Sequence, residues 1–585
     1  MHESDLPAMR HTLAHLLAAA IKELYPHAKP TIGPAVENGF YYDFDFRGGE
    51  KPGEEDLPKI EQKMRELLKK WDSMVGEEVT KEEAQARFAK NPYKLELIDE
   101  ICTRKEALTL YHAKHGDEIL FTDLCRGGHV EKPSAIASTS FKLDRVAGAY
   151  WRGDEKNAML TRIYGLAFTD KQALDEYEHQ LAEAKKRDHR KLGKELDLFT
   201  FSELVGPGLP LWTPRGAIVR NELDAFVWSL RQKAGYERVT IPHITKKDLY
   251  ETSGHWEKFT DELFRITTRE GKEYALKPMN CPHHTQIYAR RPHSYRELPQ
   301  RYAETTMVYR DEQSGELGGL TRVLSITQDD SHIFCRHSQV KEEFMKIWDM
   351  VDTLYTTFDF SLRVRLSFHD PNEMDKYLGT KKIWENAENA LREIAEARNA
   401  NYIEAPGEAA MYGPKLDFMA TDSIGREHQV ATIQLDMNLP ERFDLSCVNE
   451  EGTKERIVMI HSAIMGSIER FTAVLLEHLA GVLPYWLAPV QLRILPISEK
   501  HRVYGYKLHD ELRAHGIRVE HDVADESLGK RIRRAKQDKL PFFAVVGDKE
   551  MESEQVTLES RDGTSASYKV SDLIAHLEEV RASRS

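Results

Sequence analysis

A proline-free run rich in Ala, Glu, Lys and Arg, residues 169–194, divides this chain. Such a stretch predicts a solvated linker helix, because it has no apolar face broad enough to make a core of its own. Its later half carries Lys185, Lys186, Arg187, Arg190, Lys191 and Lys194. The chain on either side must therefore supply separate cores. A second break falls at PYWLAPVQ, residues 484–491. The expected divisions are 1–168, a basic linker helix over 169–194, a large block over 195–485, and a last block over 486–585. For 585 residues this agrees with a prior of three or four domains of about 150 residues.

Within the first block, apolar spacing predicts a helix over 9–24, stopped by Pro26. The alternation FYYDFDF (40–46) predicts a strand, residues 54–90 read as charged helix, and EILFTDL (118–124) reads as a strand running into an RGGH turn. The third block mixes helices with strand candidates such as ATIQLDMNL (431–439). The last block alternates strand and helix, as a small βαβ-type domain does. Apolar residues make up 41% and charged residues 30%, which excludes a wholly disordered or fibrous chain. The best membrane candidate, 471–490, is interrupted by Glu477, His478 and Pro484, and the apolar patch 13–21 contains His15 and lacks a basic leader. Cys102, Cys125, Cys281, Cys335 and Cys447 are too few for a disulfide framework and read as cytosolic thiols, some of them ligands. A cytoplasmic protein is expected.

Three constellations carry chemistry. His11 and His15 stand one helical turn apart in HTLAH, and Cys125 and His129 have the same spacing in CRGGH, just after Asp123. Four such groups suit either zinc or a positioned water and a small substrate. Second, VYRDEQSGELGGLTRV (308–323) predicts a hairpin carrying Arg310 and Arg322, and Arg470 heads an amphipathic helix. Arginines so placed grip phosphates or stack on a base. Neither a P-loop nor a GxGxxG fingerprint is present. Third, Cys281, His332 and His461 each lie near an expected strand end, and one Cys with two His leaves a zinc position open for substrate. The net charge of −14 restricts nucleic-acid contact to local basic patches. The run KRIRRAKQDK, with Lys530, Arg531, Arg533 and Arg534, is the foremost of these, followed by the linker.

The segments RGDEKNAMLTRIYG, KRDHRKLGKELDLF, TSGHW, KPMNCP, TQDDSHIF, YGPKLDF, IQLDMNLP, MIHSAIMGSIERF and YWLAPVQ occur in this order. From about residue 10 to the end, the chain resembles the bacterial-type threonyl-tRNA synthetases, a class II aminoacyl-tRNA synthetase family. The resemblance implies an α+β multidomain protein. Its parts are an N-terminal α+β editing domain, a class II antiparallel-sheet catalytic core and a C-terminal α/β anticodon-binding domain. It implies ATP-dependent ligation of L-threonine to tRNA(Thr) through a threonyl-adenylate, with hydrolytic editing of seryl-tRNA(Thr). Mg²⁺ would accompany ATP, one Zn²⁺ would sit on Cys281, His332 and His461, and Pro242 would end a motif at a homodimer interface. Arg310 and Glu312 match the family's second motif, and Gly466, Glu469 and Arg470 its third. Arg310 would hold the α-phosphate, and Arg470 would pack on the adenine. Gln328, Asp330, Tyr412, Lys415, Gln434, Ser467 and Arg322 match positions around threonine and ATP. His11, His15, Cys125 and His129 match the editing cleft, with Lys94 and Asp123 assisting.

The chain departs from the family pattern in places. It starts at the editing helix, so the family's ubiquitin-like domain is expected to be absent. His283 and Gly318 replace a usual Gly and His, Ile326 stands where an aromatic residue would stack on adenine, and Gly128 takes a common Pro position. Weaker ATP affinity and a looser editing turn are the expected consequences. The alternative is a synthetase-derived tRNA-binding or regulatory paralogue with reduced catalysis.

Overall fold

A computed structural model of the chain describes residues 3–259 and 261–584. Two compact units divide at Ala182/Glu183, inside the linker segment. In the first unit, helix Leu6–Leu24 is buried along most of its length, from Met9 to Ile21. It packs on helix Leu57–Leu68 and on strand Gly39–Asp45, whose Phe40, Tyr42 and Phe44 point into the core as the aromatic alternation predicts. That strand pairs antiparallel with Met159–Ala167, which pairs with Phe141–Tyr150. A second sheet joins Ser73–Glu78, Thr109–His115 and Glu118–Leu124. Residues 54–90 are thus not all helical. The strand Ser73–Glu78 is specified by its remote partner and not by its own charged text.

The second unit is built on an eight-stranded sheet. Its central strands Gln300–Tyr309, Ser325–Cys335, Val458–Ser467, Glu427–Asp436, Lys415–Thr421 and Ser361–Phe368 are antiparallel neighbours. The parallel pairs, with Glu237–Arg238 and Tyr402–Pro406, lie at the edges. Helices Pro214–Lys233, Val340–Thr356 and Ile468–His478 contribute to its largest core. The register sets His332 opposite His461, Gln434 opposite His461, and Lys415 opposite Gln434. Because side chains alternate between faces, directly paired residues share a face, and these groups form one row across the sheet.

The linker differs from expectation. It is two helices, Lys171–Arg187 and His189–Glu195, broken where Asp188 leaves helical geometry and accepts the backbone N–H of Arg190. His189, Leu192 and Gly193 are buried, so the second half is not a solvated face.

The C-terminal part has strand order Val519–His521, Leu492–Pro496, Phe542–Val546, Gln555–Ser560, Ser565–Lys569. The first three are parallel, and the last two add an antiparallel hairpin. Ser565–Lys569, with text SASYK, is too polar to read as a strand alone. Among the described residues, no helix is long and apolar enough to cross a membrane.

Candidate functional site

In the first unit, His11 and His15 project from one face of Leu6–Leu24 toward Cys125 and His129. The four ligand-type atoms all lie within 4.8 Å of one another. Cys125 Sγ is 3.5 Å from His11 Nε2 and 3.3 Å from His129 Nε2, and the rings of His11 and His129 stack at 4.3 Å. Beside them, Lys94 Nζ meets Asp123 at 2.5 Å, each side chain 2% exposed. Tyr42 donates its hydroxyl to Asp123 and receives a bond from Lys94 at 3.2 Å. His11, His15, Tyr42, Lys94, Asp123 and Cys125 all line one cavity of about 440 Å³. Burial pushes His129 down to about 2, lowers His11 and lowers His15 well below its usual value, so the imidazoles are neutral. Burial pushes the Cys125 thiol up to about 11, which disfavours a thiolate. His15 Nδ1 has no hydrogen-bond partner. Neutral rings, one of them unsatisfied, can accept a hydrogen bond from water and orient it, while burial makes them weak bases. The RGGH turn holds Gly127 and Gly128 at φ +96° and +82°. Proline cannot take a positive φ, so this turn has a geometry of its own and is not a loosened proline turn.

In the second unit, two adjoining cavities share Arg310 and Gln328. The larger, about 490 Å³, is also lined by Glu312, Arg322, Ile326, Ser467 and Arg470. Arg310 leaves strand Gln300–Tyr309, and its Nε is buried without a partner. A buried guanidinium N–H is not left unpaired without cost, which suits an anion. Arg322 is held by Glu312 at 2.6 Å and Glu316 at 2.9 Å. Ser467 caps helix Ile468–His478 by accepting the N–H of Arg470.

The smaller cavity, about 110 Å³, is lined by Cys281, Asp330, His332, Tyr412, Gln434 and His461. The donor atoms of Cys281, His332 and His461 lie within 4.8 Å of one another, and all three residues are buried. His332 Nδ1 is fixed by His284 at 2.8 Å and His461 Nε2 by Asp436 at 2.9 Å. Each ring thus keeps its other nitrogen for a ligand, the arrangement that orients metal-binding histidines. Tyr412 stacks on His461 at 4.8 Å, and Asn280 donates to Asp330 at 2.9 Å. Lys415 lines neither cavity; its ammonium rests on Asp417 at 3.2 Å.

Sequence reading passed over Tyr42, His284, Asp436 and Asp329. Asp329 accepts the N–H groups of Ile464, Met465 and Gly466 and pairs with Arg231 at 3.1 Å, clamping the strand that leads to Arg470. Its neighbour Asp330 drew attention instead, and only the bulge between Gln328 and Asp330 separates their roles.

The basic run needs a correction at Arg531. That side chain is fully buried and bonds to Asp522 and to the carbonyls of Glu526 and Ile497. In helix Leu528–Gln537 it shares the inward face with Leu528 and Ala535, so it supports the fold and is closed to phosphate. Lys530 and Arg534 are exposed but paired with Glu526 and Asp522, while Arg533 is exposed.

The chain is 47% identical to a threonine–tRNA ligase of Deinococcus radiodurans, with 99% of this chain and 90% of that protein covered. The chain belongs to the threonine–tRNA ligase family. A second member, from Synechococcus elongatus, is 46% identical over 98% of this chain and 95% of its own. Residues 264–479 match the tRNA synthetase class II core domain (G, H, P, S and T), and 491–579 match the anticodon binding domain. Residues 108–164 match the threonyl and alanyl tRNA synthetase second additional domain. A solved threonyl-tRNA synthetase domain from Cryptosporidium parvum superposes with TM-score 0.65 at 38% identity, covering 67% of this chain and 98% of that one. A Giardia lamblia prolyl-tRNA synthetase, at 15% identity and TM-score 0.54, shares the fold over 69% of this chain and 80% of its own. Family and core together imply ATP with Mg²⁺, an amino acid and tRNA as substrates.

Proposed function

We propose that this chain activates L-threonine with ATP, transfers it to tRNA(Thr), and hydrolyses seryl-tRNA(Thr) in its first unit. The observation that carries the reading is the pair of adjoining cavities sharing Arg310 and Gln328, one arginine-lined and one lined by Cys281, His332 and His461. ATP fits the larger, with Arg310 on the α-phosphate, Glu312 and Arg322 framing the loop, and Arg470 on the adenine side. The amino acid fits the smaller, among Asp330, Tyr412 and Gln434, with Gln328 between the two and Ser467 at the helix start. Lys415 acts at most through Asp417 and Gln434. Threonine's carboxylate oxygen attacks the α-phosphorus, the bond from the α-phosphorus to the β-phosphate oxygen breaks, and pyrophosphate leaves. The protein's part is positioning and stabilisation of the developing charge by Arg310 and Arg470, and Mg²⁺ bound with ATP would supply further neutralisation of the phosphates.

The three-ligand set, buried and with both rings oriented from behind, fits zinc with one open position. A zinc held there supplies a Lewis-acidic site for threonine's amino group and hydroxyl. Valine lacks the hydroxyl and is rejected by a site built to bind it, whereas serine, one methyl smaller, is separated by only about 1–3 kcal/mol. A second hydrolytic site is therefore needed. In that site, neutral His11, His15 and His129 with Cys125 orient water and ester, while Lys94 and Asp123 hold the floor. The reading assigns 1–168 to editing, 169–194 to the linker, 195–485 to catalysis and 486–585 to the anticodon, in a cytoplasmic homodimer. A regulatory paralogue is disfavoured by the intact set Arg310, Arg470, Cys281, His332 and His461.

ATP–pyrophosphate exchange with threonine, serine and valine tests this directly. Exchange is expected with threonine, weakly with serine and not with valine. Equal rates with valine would refute the hydroxyl-reading pocket, and no exchange with any of them would favour the paralogue.

A further inference from the structure

His189, in the second linker helix, touches neither cavity of the catalytic block, yet it joins two walls of the larger one. Its Nε2 accepts the backbone N–H of Leu320 at 3.0 Å, and its Nδ1 lies 2.7 Å from Glu477 Oε1. A backbone N–H only donates, so Nε2 carries no proton, and the ring is the neutral tautomer donating from Nδ1 to the carboxylate. The His189 backbone N–H donates to the same oxygen at 3.1 Å. His189 is 5% exposed and Leu320 is fully buried, so the Leu320 N–H has the ring nitrogen and not bulk water as its partner. Asp188, His189 and Glu477 sit close enough to suggest a cation site. Both ring nitrogens are already committed, however, and Asp188 is held by Arg190 at 2.5 Å.

Both partners lead straight into the larger cavity. Leu320 is followed by Thr321, Arg322 and Val323, which line it, and Glu477 lies in the last turn of the helix whose Arg470, Phe471 and Val474 line it. Glu477 is locked in turn by Arg426 at 2.6 Å, which also binds Asp422. The loop comes unusually close. Gly319 has φ +56°, and a Cβ there would lie 2.3 Å from His189 Nε2. Only glycine lets the backbone approach the ring this nearly.

We infer that His189 is a positioning residue for ATP, fixing the distance between the arginine-bearing loop and the arginine-bearing helix. This rests on reading the larger cavity as the ATP site.

The test uses exchange kinetics of the full chain. His189→Asn keeps a donor for Glu477 but is too short to reach Leu320, leaving that buried N–H unpaired. His189→Gln carries a carbonyl to the Nε2 position and gives up the Nδ1 donor, while the backbone N–H of residue 189 still holds Glu477. We expect His189→Asn to raise the KM for ATP about tenfold, which is about 1.4 kcal/mol, with the KM for threonine unchanged. His189→Gln should restore most of the ATP affinity. A folded His189→Asn with unchanged ATP KM overturns the inference, as does a parallel rise in both KM values or a failure of Gln to rescue. If His189→Asn does not fold, Gly319→Ala displaces the same contact from the loop side, and an unchanged ATP KM there overturns it equally. A wild-type chain inactive in exchange refutes the ATP-site reading itself; an active one with silent variants refutes only the role of His189.

Discussion

Replacing Lys94 by methionine breaks the buried pair at the floor of the first-unit cavity while keeping the volume of its stem. Lys94 and Asp123 are each 2% exposed and 2.5 Å apart. Removing one member of a buried pair costs about 3–5 kcal/mol, because the remaining charge stays desolvated. Asp123 keeps two donors, the Tyr42 hydroxyl and the Leu124 N–H at 2.8 Å, which places the expected cost at the lower end, about 3 kcal/mol. For a unit of this size each kcal/mol moves the midpoint by about 2–4 °C, so the transition of the first unit should fall by about 6–12 °C in calorimetry. Lys94→Met/Asp123→Asn removes both charges and should recover more than half of that loss, a coupling that a double-mutant cycle reads directly. Threonine-dependent exchange should be unaffected, while pre-charged seryl-tRNA should persist. A Lys94→Met chain melting within about 2 °C of wild type would refute the reasoning, since a pair that cheap to break behaves as a solvated one.

Cys281→Ala should lose bound zinc, measured by elemental analysis of the purified protein, together with threonine activation. Ile326→Phe adds an aromatic face to the larger cavity and should lower the ATP KM by about two- to tenfold, the range of about 0.5–1.5 kcal/mol expected for a stacked ring. His11, His15 and His129 have folded values below the unfolded value of about 6.5. The unfolded first unit therefore binds more protons near and below that value, and calorimetry should show its stability falling as pH drops below about 6.5, with no histidine-linked loss from there to about pH 8. Neutralising Lys530, Arg533 and Arg534 together should weaken tRNA binding and flatten its salt dependence. Arg531→Ala should instead lower the melting temperature, because its guanidinium is buried against Asp522.

What the sequence made legible follows from range. HTLAH is local, and helical spacing alone puts both histidines on one face of Leu6–Leu24. The hairpin of Gln300–Tyr309 and Ser325–Cys335 was visible because its strands flank a polar glycine-rich turn. Convergence was legible only through the family resemblance, which set Lys94 and Asp123 in one cleft with His11, His15, Cys125 and His129. Nothing in the text around Tyr42 announces that its hydroxyl completes that group, because the residues are brought together by separate sheets. The break at Asp188 was missed because both flanking segments have good helical composition, and a single capping side chain decides it. Arg531 was misjudged because a count of basic residues ignores helix phase. Of the neighbours in KRIRRAKQDK, the one at i+3 from Leu528 and i−4 from Ala535 turns inward.

The cross-strand register of the large sheet also bears on how this chain tolerates changes of length. His332 and His461 face each other, and Gln434 faces His461 from the next strand. Side chains alternate with a period of two, so deleting one residue within 330–335 or 458–463 would turn a donor to the opposite face while leaving composition almost untouched. The bulge at Gln328/Asp330 has already absorbed one irregularity between these strands. By contrast, the hairpin turn closed by Asn449 and Thr453 pairs no such groups and lies exposed, so extra residues there displace nothing in the sheet. Insertion–deletion scanning should therefore find short forbidden windows in the paired strands beside a permissive turn, a pattern that substitution scanning of the same residues cannot reveal.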